Sequence, residues 1–296
     1  IICNYLIKSL QFVSTLLMND QDKSSNITII VNTCDHFEDC WDPFFKLFEK
    51  FWPECQYPII LTTYQKKYNY HGNLNIRNLE ANQYYDNEPP WSEILIQALN
   101  KIPNSDIVLL MLDDFFISDF VDEKSITECY KIMKDNDYSN ITLTNHDKTR
   151  SFESTDNPMI SKIKQKSKYR ITTSPALWKA SSLKKYLISD ENPWMFELFG
   201  TIRSHKIKDS FFRFNEKCLT PGFKEVIPYF EGKEGDTGIV KGKWQKGIEP
   251  LFDNLNIDID FSKRGYYKTK NPLMKKIDTL LKIIKYPKQL IRAFFH

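Results

Sequence analysis

From residue 26 to residue 144 the chain alternates short β-branched runs with longer stretches of helical period, and this order limits the folds open to it. "NITIIVNT" (26–33), "YPIILTT" (57–63), "LNIRNLE" (74–80), "DIVLLML" (106–112) and "NITLT" (140–144) have the length and content of strands. Between the first two, Trp41, Phe44, Phe45, Leu47, Phe48, Phe51 and Trp52 recur at steps of three and four and stop at Pro53. "PPWSEILIQALNKI" (89–102) opens on proline, as helices do, and puts Ile94, Leu95, Ala98, Leu99 and Ile102 on one side. "DEKSITECYKIMKDN" (122–136) reads as a further helix. Strands and helices in this order predict an α/β fold, Rossmann-like, with a mostly parallel central sheet and helices on both faces. Ligands of such sheets bind beyond the carboxyl ends of the strands. Asp35, after the first strand, and Asp113 and Asp114, after "VLLML", then share one rim.

Past residue 145 the pattern loosens. "NHDKTRSFESTDNPMISKIKQKSK" (145–168) is polar and reads as a long loop, and "EVIPYF" (225–230) is strand-like. "EGDTGIVKGKW" (234–244) carries three of the nine glycines. A final helix from Pro272 places Leu273, Ile277, Leu280, Leu281 and Ile284 on one face, with lysines on the others. The first 17 residues are apolar but broken by Asn4, Lys8 and Gln11, a poor transmembrane span that suits an amphipathic helix instead. The chain begins at Ile1, as a cut or processed chain would, and Met18 reads as a natural start. The division is therefore an N-terminal helical extension (1–22), one main domain (23–262) and a basic amphipathic tail (263–296).

The net charge of +3 is unevenly placed. From Lys263 onward there are ten Lys/Arg and one acid, Asp278, a net of +9, which leaves −6 for the rest. An acidic body with a basic tail excludes the usual nucleic-acid binder, whose basic surface belongs to the folded domain. The tail has the composition of an interfacial anchor for an anionic membrane surface, or of a helix packed on the body with its lysines solvated. Six cysteines form no CxxC pair, so reduced thiols in a cytoplasmic protein are expected; a Cys34–Cys40 bridge, or a metal site with His36, is the competing reading. His36 otherwise reads as a loop histidine. Asn26 and Asn140 head N-x-T sequons but open apparent strands, which disfavours glycosylation.

Three stretches carry chemistry. Asp113 and Asp114 end an apolar strand, where uncompensated charge is costly. Such a pair suits a hard divalent ion, Mn²⁺ or Mg²⁺, holding diphosphate oxygens; a turn with one capping Asp is the plainer alternative. "NPWMFELFG" (192–200) sets Glu197 among Trp194, Phe196 and Phe199. An acid in that company is expected to hold its proton more tightly, which suits a general base; an aromatic core face with an exposed Glu is the alternative. In the glycine-bearing segment, backbone approaches phosphate closely and Lys241 or Lys243 neutralises it, or the segment is a β-hairpin with exposed lysines.

"SEILIQALNKIPNSDIVLLMLDDFF" resembles the nucleotide-sugar half of GT-A-fold glycosyltransferases. "ITIIVNTCDHFEDCWDPFFKLFEKFWPEC" is similar to the first β-α unit of bacterial enzymes of that class that build capsule or lipopolysaccharide side chains, and "SPALWKASSLKKYL…ENPWMFE" is similar to their acceptor-side portion. The resemblance covers about residues 26 to 250. It implies a glycosyltransferase that moves a sugar from a nucleotide-diphosphate sugar to a hydroxyl of a glycan or lipid-linked acceptor, with inversion, in surface polysaccharide synthesis. The expected location is the cytoplasm, or its membrane face through the basic tail. Asp113 and Asp114 take the place of the DxD element, with the departure that they are adjacent, which leaves open metal-independent catalysis with basic residues steadying the diphosphate. Asp114 is then the metal ligand, and Asp113 meets the ribose or a metal-bound water. Asn32, Thr33 and Asp35 meet the base and ribose, with an Asx-turn at Asp35 as the alternative. Glu197 is the base, Trp194 stacks on the acceptor sugar, and Lys243 closes over the diphosphate. The rival readings are a sugar-phosphate nucleotidyltransferase, which should carry a glycine loop after the first strand where "VNTCDHFED" has none, and a non-catalytic carbohydrate-binding protein on the same fold.

Overall fold

The structure, a computed structural model, describes residues 27–103, 106–144, 149–232, 236–269, 271, 274, 277, 281 and 283–295. The expected N-terminal extension (1–22), Asn26, Leu273 and Leu280 lie outside the described residues.

The first half builds as its hydrophobic pattern dictates. β1 (Ile27–Asn32) is followed by α1 (Glu38–Phe51), β2 (Ile59–Thr63), β3 (Ile76–Glu80), α2 (Trp91–Leu99), β4 (Ile107–Leu112), α3 (Glu123–Asn136) and β5 (Asn140–Thr142). β1 and β4 are apolar on both pleat faces because both faces are covered, as central parallel strands require. α1 starts with Glu38 and Asp39 in its first turn, favourable to the helix dipole, and its phenylalanines Phe44, Phe45 and Phe48 turn inward. Asp122 caps α3 by accepting from the Ser125 amide (3.2 Å). The same carboxylate takes the Thr220 amide (2.9 Å) and hydroxyl (2.8 Å), tying the later chain to this helix.

The second half departs from its reading. The stretch expected to be a loop at 145–168 holds a hairpin, β6 (Phe152–Ser154) and β7 (Ile160–Ile163). β6 is the edge strand and β7 lies one place in, between β6 and β9; at three and four residues both are too short to show alternation, and the solvent-facing positions are polar. Glu153 and Lys162 sit opposite each other and pair at 3.4 Å. β8 (Ala176–Lys179), α4 (Ala180–Tyr186), α5 (Pro193–Ser204) and β9 (Phe211–Phe214) follow, then the small hairpin β10 (Ile239–Val240) and β11 (Lys243–Trp244), α6 (Glu249–Asp253) and α7 (Pro287–Phe295). "EVIPYF" forms only one bridge, Tyr229 to Ile117, since Pro228 offers no amide to a ladder.

The central sheet has the order β3-β2-β1-β4-β8-β5-β9-β7-β6. β1 runs parallel to β2 and β4, β2 to β3, and β5 to β9. β8 inserts antiparallel between β4 and β5, and β6 and β7 are antiparallel as well. The sheet is therefore mixed, parallel only where β-α-β crossovers build it. One face packs α1, α3 and residues 226–257; the other packs α2, α4 and α5. The chain leaves β1 over the first face toward β2, then returns over the second face to β4 on the far side of β1. β1 and β4 thus flank the point where strand order reverses, the usual ligand site of open α/β sheets.

Candidate functional site

At that reversal the carboxyl ends of β1 and β4 open into a cleft of about 440 Å³. It is lined by Asn32 and Thr33 from β1, Asp113 and Asp114 from β4, and Trp194 and Glu197 from α5. Six residues chosen from three separate stretches of sequence therefore meet in one place. Trp91 at the start of α2, Cys34, Thr173, and residues 236, 237 and 239–241 complete the walls.

The floor is a chain of buried hydrogen bonds. Asn32 accepts from the Thr62 hydroxyl (2.6 Å) and donates to the Trp91 carbonyl (3.3 Å). The Thr33 hydroxyl accepts from the Trp41 indole (3.0 Å) and donates to Asp113 Oδ2. Asn32 and Thr33 thereby hold the rim in place. Asp113 is buried, and burial together with the neighbouring Asp114 charge holds its carboxyl well above the usual carboxylate range.

Asp114 is different. Its Oδ2 accepts from the Thr237 hydroxyl at 2.6 Å, while its Oδ1 is shielded from solvent and has no hydrogen-bond partner among the described residues. Burial pushes its pKa up to about 6, and the charge of Glu197 across the cleft adds to that. Neither aspartate forms an ion pair with an Arg or Lys among the described residues. An orphaned carboxylate oxygen in an acidic cleft is a donor suited to a hard divalent ion. A single protein carboxylate, or two, is the usual protein share for Mg²⁺ or Mn²⁺ that also holds phosphate oxygens.

Thr237 reaches Asp114 because of Gly238. Its backbone amide donates to the Asp114 carbonyl (3.1 Å), and a Cβ at that position would overlap the Phe116 ring. The hairpin beyond it turns through Lys241 and Gly242, both at positive φ (51° and 76°). Lys241 sits at this turn and lines the cleft. Lys243, the lysine expected at the diphosphate, does not line it. Its side chain is one strand position past the turn and donates to the Arg264 carbonyl at 3.3 Å.

Asp35 also stands elsewhere. Its two carboxylate oxygens accept from the amides of Tyr64 (2.8 Å), Gln65 (2.8 Å) and Lys66 (3.1 Å), so it caps the turn after β2. It lines a neighbouring cleft of about 430 Å³ with Asp39 and Arg264. Its carboxylate is committed to that turn, and it is not among the residues lining the cleft of Asp113 and Asp114.

Glu197 keeps its place but not its expected surroundings. Phe196 and Phe199 turn into the core, and the carboxylate faces threonines instead. Its Oε1 accepts from the Thr172 hydroxyl (3.1 Å), the Thr173 amide (2.8 Å) and the Thr173 hydroxyl (2.8 Å). That clamp fixes Oε1 of a side chain that lines the cleft. The N-terminus of α5 is fixed in turn by a buried ion pair, Arg203 to Glu191, with both nitrogen–oxygen contacts at 2.7 Å. The Glu191 carbonyl accepts from the Ser92 hydroxyl (2.7 Å), which locks α5 to the start of α2. Trp194 packs edge-on against Phe199, with ring centroids 6.0 Å apart.

The described cysteines are free thiols, and a Cys34–Cys40 bridge does not form. Burial pushes the Cys34 thiol up to about 11, so it lines the cleft neutral and is no thiolate nucleophile. Cys34, His36 and Glu88 bring possible metal-binding atoms within 4.8 Å of one another, but His36 is exposed and pairs with Glu88 at 3.5 Å as a surface contact. Asn140 is buried in β5 with its amide on the Leu177 carbonyl (3.0 Å), which closes that sequon to modification in the folded chain.

The sequence reading missed Thr172, Thr173, Thr237 and Trp91, and of the two lysines it offered, Lys241 and Lys243, it put the wrong one at the cleft. Short polar residues in loops gave no periodic signal for the threonines. The glycines at 238 and 242 did mark the right segment, but only the hairpin register decides which lysine faces the cleft. No protein-family model matches the chain, and no curated protein matches it.

Proposed function

We propose that the chain is a glycosyltransferase that moves a sugar from a nucleotide-diphosphate sugar to a hydroxyl of a glycan or lipid-linked acceptor, with inversion. The observation that carries this reading is the meeting of two carboxylates with different tasks in one cleft at the sheet's reversal point. Among the described residues Asp114 offers a buried oxygen with no hydrogen-bond partner, and Glu197 is clamped through Oε1.

In this reading Asp114, with Asp113 beside it, holds a divalent ion, Mn²⁺ or Mg²⁺. When bound, that ion supplies Lewis-acid neutralisation of the diphosphate leaving group. The protein residues do the rest. Asn32 and Thr33 shape the floor under the nucleotide, and Lys241 at the hairpin turn offsets phosphate charge. Trp194 gives a face for the acceptor sugar. Glu197 Oε2 takes the proton of the acceptor hydroxyl as that oxygen attacks the anomeric carbon, and Thr172 and Thr173 keep the carboxylate oriented. Asp35 and Lys243 have no part in it.

The test is release of nucleoside diphosphate from a panel of nucleotide sugars with Mn²⁺. Release by the wild-type chain, abolished in Asp114→Asn, supports the reading. Glycan binding without any release would favour the non-catalytic carbohydrate-binding alternative. Release of pyrophosphate from a nucleoside triphosphate and a sugar phosphate would favour the nucleotidyltransferase.

A further inference from the structure

The C-terminal helix α7 is docked, and yet much of its apolar surface is left over. Its inner face, Tyr286, Leu290 and Ala293, packs on Met195, Leu198, Phe199 and Ile202 of α5. Arg292 and Gln289 hold Asp190 at 2.7 and 3.2 Å, and Lys206 donates to the Phe294 carbonyl. With the inner face satisfied, Ile291, Phe294 and Phe295 remain 58%, 50% and 85% exposed. Leu281 and Ile284, just upstream, are 58% and 63% exposed. Leu281 and Ile284 precede the break at Tyr286, whereas Ile291, Phe294 and Phe295 stand three and four apart on α7 itself and form one exposed apolar stripe. A helix that serves only as a cap on the body would carry polar residues on that side.

The other observation is a basic cleft of about 350 Å³ at the opposite end of α5 from the candidate site. Lys162, His205, Lys206 and Lys208 line it, Lys162 being paired with Glu153 at 3.4 Å. Its acid, Asp209, is engaged by the Tyr186 hydroxyl (3.1 Å) and by Lys185 (3.3 Å), so Lys206 and Lys208 give the cleft its positive charge. Lys206 belongs both to this cleft and to the α7 contact, and its ammonium lies 6.0 Å from the centre of the Phe295 ring. The apolar stripe and the basic cleft are therefore neighbours.

We propose that together they form a binding surface for anionic membrane: Ile291, Phe294 and Phe295 enter the acyl boundary, and the cleft receives a phosphate headgroup. Charge decides the occupant. A second copy of the chain would bring the same net +9 of the last 34 residues against itself, whereas an anionic leaflet complements it. The exposed side of α7 and the basic cleft do not line the cleft of Asp114 and Glu197, and the test of this surface needs no nucleotide sugar.

The full-length chain is sedimented with vesicles of phosphatidylcholine, with and without phosphatidylglycerol. Binding is expected only to the mixed vesicles and should weaken as salt rises. Lys206→Gln with Lys208→Gln should lower partitioning by about 25-fold, since each lysine near an anionic surface is worth about fivefold. Ile291→Ser with Phe294→Ser and Phe295→Ser should lower it by at least tenfold. These side chains are exposed, so an unchanged thermal midpoint confirms folding in each variant. The proposal is overturned if the wild-type chain stays in solution with mixed vesicles, or if either variant sediments as the wild type does. Self-association without lipid, lost in the triple-serine variant and not replaced by vesicle binding, would overturn it in favour of a second copy.

Discussion

Replacing Asp114 by Asn should make the protein more stable and inactive at once. In the folded chain the Asp114 carboxyl titrates near 6, against an ordinary 3.8, chiefly because burial penalises its charge. The sign follows from linkage. A folded pKa above the unfolded one means the native state binds the proton more tightly, so the stabilisation is complete below pH 3.8 and lost as pH rises through 6. At neutral pH and above, the native chain carries an ionised, partly unsatisfied carboxylate. At about 1.4 kcal/mol for each tenfold change in proton affinity, the full shift is worth about 3 kcal/mol, and partial solvation of the side chain reduces that to about 2 kcal/mol. Asn keeps an oxygen for the Thr237 hydroxyl and removes the charge. Relief of Asp113, whose proton affinity is raised partly by Asp114, acts in the same direction. For a chain of this size the gain corresponds to roughly 3 °C in Tm. The assay is a thermal scan at pH 8 and pH 4 with and without Mn²⁺. The Asp114→Asn substitution should raise Tm at pH 8 and change it little at pH 4. Mn²⁺ should raise Tm of the wild type at pH 8 and leave the variant unmoved, since a ligand that binds only the folded state stabilises it. A variant that melts at or below the wild type at pH 8, or that gains as much from Mn²⁺, would refute the reasoning.

Glu197→Gln keeps the acceptor oxygen for the threonine clamp, so Tm should hold while the transfer rate falls by about 10²–10⁴-fold; an unchanged rate in a single-turnover assay would remove Glu197 as the base. Lys241→Ala should raise KM for the nucleotide sugar several-fold while Lys243→Ala leaves it alone, and equal effects in steady-state kinetics would contradict the hairpin register. Glu191→Gln strands Arg203 in a site where both side chains are essentially inaccessible, so urea unfolding should show a loss of about 3–5 kcal/mol; a loss below about 1 kcal/mol would mean that the pair is not what fixes α5.

The first half of the molecule was legible because each central strand there is buried on both faces and each helix on one. Burial of that kind writes itself into local composition, as in "ITIIVN" and in the phenylalanines of α1. The hairpin at 152–163 left no such trace: its strands are three and four residues long, and their solvent-facing positions are polar for the same reason loops are. The insertion of β8 between β4 and β5 was equally hidden. "ALWK" is apolar in either direction, and strand polarity in a sheet is settled by where the connecting chain must return.

The candidate site divides along the same line. The sequence by itself determined that acids follow buried strands at 113 and 114, and that Trp194 and Glu197 share a helix start, because those features depend on residues adjacent in the chain. Tertiary structure alone decided that Asp35 spends its oxygens on the 64–66 amides, that Lys241 rather than Lys243 lines the cleft, and that Glu197 meets threonines instead of aromatic rings. Each of these depends on which distant backbone supplies a hydrogen-bond partner. A side chain's chemistry is carried in its own identity, but its availability is set by neighbours tens of residues away, and only the folded chain brings them into contact.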